Sequence, residues 1–367
     1  MRVAGLAAAG TAAVACQPQT VIVKETVEVE KEVTTVVEKE KIVKETVEVE
    51  VEKEVTKVVK EIVEVSAASL RQAPMLKEKV ESGDLPPLDE RMPVDLMVLT
   101  RGGIDQEIGT YGGELIVSNA ASHQAHEYVL MLNHDITETI PNIAASWKYS
   151  MDGKTFTLNL RRGIKWSDGA PMTADDVLFW WEALVLNEEL TPVKPQQWQP
   201  GGELMDLRKL DDHTIEINFA EAFWSMHHKI DSTGFAGRQA GGAGAGFFLP
   251  GHYLQEYHTE YNEDAGDLAK EADYENWFEY FAYLANSWVV PPGVPVLSSW
   301  TIIEQAATGN FWDRNPYYFK VDPEGNQLPY IDNMPEVMWD DREGHLMQLI
   351  SGLVQYDARG ISVGDWP

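Results

Sequence analysis

The sequence is short of cysteine, of positive charge and of long apolar runs. Cys16 is the only cysteine in 367 residues, which excludes an internal disulfide and thiolate zinc sites, because these need two to four cysteines at short spacing. Lys and Arg number 29 against 59 Asp and Glu, a net charge of −30. So anionic a chain has no basic patch to spare for phosphate, which argues against nucleic acid as a partner and against direct adhesion to anionic lipid. Catalytic signatures are missing too: there is no Gly-x-Ser-x-Gly, no Gly-x-x-x-x-Gly-Lys and no His-Glu-x-x-His. The paired histidines, His123 with His126 and His227 with His228, lack the further ligands of a metal centre. No metal, no cofactor and no enzymatic activity is expected, and the Gly-rich run over 237–246 reads as a loop.

What is present begins with a leader. Residues 1–16 place one positive charge before a small-residue stretch too short to span a bilayer, the form of an export signal. Its end, Ala13-Val14-Ala15-Cys16, resembles a bacterial lipobox with Ala13 where such signals usually carry Leu. That resemblance implies acylation of Cys16. Residues 17–65 form a stalk of Val, Glu, Lys and Thr, in which Ile22–Glu30 recurs as residues 42–50. Val51, Val55, Val58, Ile62 and Val65 alternate spacings of four and three, which predicts a helical coiled-coil stalk. Period-two alternation at Val27-Glu28-Val29 and over 47–51 pulls the other way, toward strand.

Residues 66–92, with Pro86-Pro87, read as a linker, and a folded domain is expected from Pro93. Asp152-Gly153 between Trp147-Lys148-Tyr149 and Phe156-Thr157-Leu158 predicts a β-hairpin. Thr173 with Asp176 predicts a capped helix start, and Ile215-Glu216-Ile217 alternates like a strand after the Asp211-Asp212 turn. The mixture is α+β rather than a regular βαβ series. Twelve tryptophans exceed the ordinary need of such a core. Each alone is a packing residue by default, whereas some of the set suit an aromatic pocket wall.

At residues 141–184 a family becomes recognisable. Ala145-Ser146-Trp147, Asp152-Gly153-Lys154, Leu160-Arg161-Arg162-Gly163, Lys165-Trp166-Ser167-Asp168-Gly169 and Pro171 through Val177 stand in order. They resemble the signature stretch of the extracellular solute-binding proteins of the oligopeptide, dipeptide and nickel ABC importers. Tyr111-Gly112-Gly113, residues 249–254, Arg314-Asn315-Pro316 and residues 321–332 continue the likeness over about 105–360. Where the family commonly has a Gly-Thr-Gly-Pro turn, this chain reads Pro295-Val296-Leu297-Ser298-Ser299-Trp300.

The resemblance implies a type II periplasmic-binding-protein clamshell, with residues 93–335 as the first lobe and 336–367 as the start of a truncated second lobe. It implies capture of an oligopeptide or related solute outside the membrane and delivery to ABC permease subunits, with a lipid anchor at the cell membrane. Asn119 and His123, which follow the first strand where the family places cleft residues, are the expected ligand contacts, together with Trp198 and Trp300. A different reading is an envelope scaffold or adhesion module that oligomerises through the stalk.

Overall fold

The structure is a computed structural model that describes residues 20–29, 47–56, 69–100, 107–118, 127–231, 247–286, 290–339 and 341–357. The chain divides into two compact units, Met1–Ile62 and Val63–Pro367. In the first, β1 (Thr20–Val29) and β2 (Val47–Thr56) pair antiparallel with Val27 opposite Val49 and Val29 opposite Val47. The helical coiled coil expected of the stalk is therefore corrected over these residues. Period-two alternation of β-branched valines favours a pleated ladder over a helix, where branching at Cβ costs rotamer freedom. The remaining seam positions, Val58, Ile62 and Val65, lie outside the described residues.

The second unit starts earlier than expected. Ala73, Leu76 and Leu85 are core residues and Arg91 is fully buried, so the stretch read as a linker is packed against the domain. The Arg91 guanidinium donates to the carbonyls of Pro86 and Pro316 and to the Gln72 and Gln327 side chains. Burial pushes its pKa down to about 10. β3 (Met97–Val98) then runs parallel to Lys320–Val321, β4 (Val117–Ser118) follows, and β5 (Leu130–Leu132) pairs antiparallel with β6 (Thr139–Pro141).

The signature stretch forms a four-stranded antiparallel sheet in the order β7 (Ala144–Tyr149), β8 (Thr155–Leu160), β10 (Thr214–Asn218), β9 (Asp206–Asp211). The hairpin turn has Asp152 Oδ1 accepting from the Ser150 hydroxyl and the Lys154 amide, with Gly153 at φ +69°. A side chain there would be strained and would strike the Trp224 ring at 2.5 Å. Phe156, Leu158, Ile215 and Ile217 turn one face of the sheet into core. Thr173 caps the helix Ala174–Phe179 as the sequence predicts: its hydroxyl accepts from the Asp175 amide while Asp176 reaches back to the Thr173 amide at 2.8 Å. The helix widens into one π-helical turn, Trp180–Val185, whose two tryptophans are buried, Trp180 against Trp198 and Phe247.

The second sheet has the order β11 (Trp300–Ala306), β12 (Gly309–Arg314), β14 (Asn333–Val337), β4, β15 (Tyr356–Asp357), with β13 (Lys320–Val321) set apart on β3. β14 and β15 flank β4 in parallel, joined by the helix Arg342–Ile350. Residues 336–357, expected to open a second lobe, add a crossover helix and a strand beside β4 to this sheet, as a parallel pair requires. The Pro295–Trp300 departure is tied down by Asn315, whose side-chain amide donates to the Ser298 carbonyl, and by Ser167, whose amide donates to Val296. Among the described residues no helix is long and apolar enough to cross a membrane.

Two measurements test the packing. Lys320 and Glu127 form a buried ion pair at 2.8 Å, with Tyr318 and Asn142 also donating to the carboxylate. Glu127→Gln or Lys320→Met alone is expected to cost about 3–5 kcal/mol in urea unfolding, and the double variant clearly less than the sum of both. Additive losses would show that the pair is not coupled. His258 is fully buried, with Nε2 3.0 Å from the Ala183 carbonyl and Nδ1 accepting from the Glu260 amide. Burial lowers its pKa below the ordinary imidazole value. The unfolded chain then takes the proton first, so the contribution of His258 is complete above about pH 6.5 and is lost as pH falls below it. The stability difference between wild type and His258→Gln should be constant from pH 7 to 8 and shrink toward pH 5.

Candidate functional site

In an open sheet, ligands bind outside the carboxyl ends of parallel strands, where backbone direction and loop freedom coincide. Here those ends belong to β4, β14 and β15. The register places Asp357 beside Ser118, and the Ile116 and Gln355 segments exchange a backbone and a side-chain hydrogen bond at 2.8 and 2.7 Å. The crossover helix is capped by Asp341, whose carboxylate accepts from the Gly344 amide at 2.7 Å, so its first turn is held over the strand ends. That turn delivers His345.

Three side chains meet there. Ser118 Oγ lies 2.7 Å from His345 Nε2 and donates to Asp357 Oδ2 at 2.6 Å, and His345 Nε2 is 2.9 Å from the same carboxylate oxygen. The composition is that of a hydrolytic triad, but the geometry is not. One imidazole nitrogen faces both partners, whereas a relay needs Ser on one nitrogen and the carboxylate on the other. Ser118 is also fully buried and cannot meet a substrate. The cluster holds a position. What it positions is Trp339, whose ring lies parallel to the imidazole at 4.6 Å with an interplanar angle of 5°. Trp339 is 37% exposed, so part of the indole remains open to a ligand. A fixed, half-open aromatic ring is a stacking platform for a planar group or a sugar face.

Of the residues expected from the sequence, Asn119, His123 and Cys16 lie outside the described residues. Trp198 and Trp300 are described and are enclosed: Trp198 has no exposed surface, edge-on to Trp180 at 5.7 Å, and Trp300 opens β11 with 4% exposed. Both rings pack among the buried residues of the core. His227 and His228 are absorbed locally: His227 contacts the Tyr149 hydroxyl at 2.8 Å and His228 contacts Asp231 at 3.1 Å. Burial lowers the pKa of His227. Ser118, Trp339, His345 and Asp357 were not singled out beforehand. More than two hundred residues separate Ser118 from the other three, and no spacing rule links them.

The comparisons with known proteins agree with this architecture. Residues 138–272 match the model of the bacterial extracellular solute-binding proteins, family 5, middle region. The periplasmic alpha-galactoside-binding protein of Rhizobium meliloti is 32% identical over 314 residues, which is 77% of this chain and 41% of that protein. An oligopeptide-binding protein OppA superposes with a TM-score of 0.71 at 29% identity, covering 81% of this chain and 46% of the other. The periplasmic binding protein MelB of Agrobacterium fabrum C58, solved with stachyose, superposes with a TM-score of 0.62 at 27% identity, covering 77% and 43%. The chain thus spans less than half the length of these relatives. With their α+β fold and the signature hairpin and capped helix in place, it belongs to the family 5 solute-binding proteins over the part that it spans.

Proposed function

We propose that this chain is the major part of the first lobe of an extracytoplasmic receptor that binds an oligomeric polar solute and hands it to an ABC permease. The observation that carries the reading is the half-open Trp339 ring held on His345 at the carboxyl ends of three parallel strands. Family membership supports non-covalent capture, and the arrangement of Ser118 supports it independently, since a fully buried hydroxyl performs no nucleophilic step. An oligopeptide remains a fitting solute, as in the OppA likeness. The relative that binds alpha-galactosides supports an oligosaccharide equally well, and a half-open indole held in place by stacking suits a sugar face. Closure of one lobe on another around the solute would follow the hinge motion of two-lobed binding proteins. Cys16 supplies the lipid attachment in this reading, and Asn119 and His123 remain candidate contacts in addition to Trp339.

Titration of the full chain with stachyose and with peptides of two to nine residues, followed by tryptophan fluorescence and calorimetry, tests the solute. Saturable binding of one class is expected, weakened at least about tenfold by Trp339→Ala, as for loss of a central aromatic anchor. Unaltered affinity in that variant would remove the strand ends as the site. For the anchor, wild-type protein made in a bacterial host should partition into the detergent phase of Triton X-114, and Cys16→Ser should remain in the aqueous phase. Equal partitioning of the two would exclude acylation at Cys16.

A further inference from the structure

A second surface lies on the helices Gly251–Leu254, Ala265–Glu271 and Trp277–Leu284, and it goes beyond the solute-binding reading. Five tyrosines form one continuous run across it. Tyr253 meets Tyr257 at 5.4 Å, Tyr257 meets Tyr280 edge-on at 5.4 Å, Tyr280 meets Tyr274 at 5.0 Å, and Tyr274 stacks on Tyr283 at 5.7 Å. All five are half-buried and pack against the hydrophobic core, with the rest of each side chain open to solvent. Hydrophobic packing alone would be served as well by leucine or phenylalanine. Five phenols in a row present polar tips and negative ring faces together.

The rim has one sign. Residues 251–286 carry nine Asp and Glu against a single lysine and no arginine. Every one of those carboxylates is exposed, and Lys270 is occupied by Asp267 at 2.7 Å. Glu256 stands close enough to Tyr257 and Tyr280 to add to the upward pKa shift that burial gives both phenols. The surface therefore holds neutral phenols in a negative field. Among the described residues the cation–π contacts fall elsewhere, Arg314 on Tyr111 and Lys320 on Tyr318 and Phe319. Among the described residues no cation is seen over the tyrosine run.

We propose that the tyrosine run and its carboxylate rim dock an arginine-rich polypeptide segment of a partner protein. Guanidinium planes stack on phenol faces while their edges pair with Glu256, Glu275 and Glu279, a combination that the compact, strongly hydrated ammonium of lysine forms less well. Tyrosine loses little side-chain entropy on contact, which suits a docking surface that is already ordered.

The probe is octa-arginine, titrated calorimetrically into the full chain at two salt concentrations. Saturable binding is expected, at least about tenfold weaker with Glu256→Gln/Glu275→Gln/Glu279→Gln and within about twofold of wild type with the control Glu188→Gln/Glu203→Gln/Glu304→Gln, since specific pairing rather than net charge is being read. Tyr257→Phe/Tyr280→Phe keeps the rings and should retain binding, a check that does not depend on a variant that loses core packing. Octa-lysine should bind several-fold more weakly than octa-arginine. Equal losses in the two glutamine variants, or equal affinity for the two peptides, would overturn the proposal in favour of a diffuse acidic field. Absence of saturable binding would overturn it outright.

Discussion

A guanidinium cannot shed its charge inside a protein, so wherever one is buried the backbone must be folded around it. This acidic chain carries its negative charge outside and encloses several of its few cations. Arg314 donates from Nη2 to the carbonyls of Pro329, Tyr330 and Ile331 at 2.7–2.9 Å and lies 3.2 Å from the Asp332 carboxylate. Arg161 binds the carbonyls of Asn142, Asp95 and Leu96, and Arg91 binds those of Pro86 and Pro316. Each guanidinium thus collects segments distant in sequence. The connection from β12 to β14 closes around Arg314, the approach to β3 closes on Arg161, and the arm from residue 72 onward is clasped by Arg91. Burial lowers the pKa of all three, yet a guanidinium keeps its charge inside a protein, so these ties are insensitive to ordinary pH.

The sheet that carries the candidate site depends on those ties. β4 contributes only two residues, too short to hold a register on its own strength, and it is fixed because β14 and β15 bracket it. β14 in turn is aligned by the loop that Arg314 gathers. The polar cluster of Ser118, His345 and Asp357 then closes the carboxyl end of the sheet, and Trp339 is oriented by stacking on it. A chain of constraints runs from a buried charge through loop geometry to one aromatic ring. The tyrosine surface is assembled differently, from side chains at helical spacing on short neighbouring segments, and so rests mainly on local structure.

Much of this was legible before the structure. The Asp152-Gly153 hairpin follows from turn chemistry between two alternating runs, and the capped helix at Thr173 follows from a short polar side chain three residues ahead of a carboxylate. Arg314-Asn315-Pro316 reads as a loop-holding motif and is one. Elsewhere local pattern misled. The seam of fours and threes in the stalk suggested a coiled coil, while Val51 and Val55 of that seam stand in a ladder formed by residues 20–29 and 47–56. Residues 66–92 looked like a linker because Pro86-Pro87 forbids regular structure, yet irregular backbone can pack well when an arginine gathers it. Trp198 and Trp300 looked like pocket walls because composition counts aromatic rings without saying which way they face.

The α+β class and the signature hairpin and helix could be read locally, because they rest on turn geometry, capping and periodicity within a few dozen residues, and the family followed from the resemblance of residues 141–184 to its signature stretch. Only the tertiary structure decided that residues 336–357 complete the sheet, that the tryptophans fill the core, and that Ser118, Asp357, His345 and Trp339 share one site. Contacts across two hundred residues depend on which strands become neighbours. That choice is made by the burial of charge and apolar surface over the whole unit, and no local pattern records it.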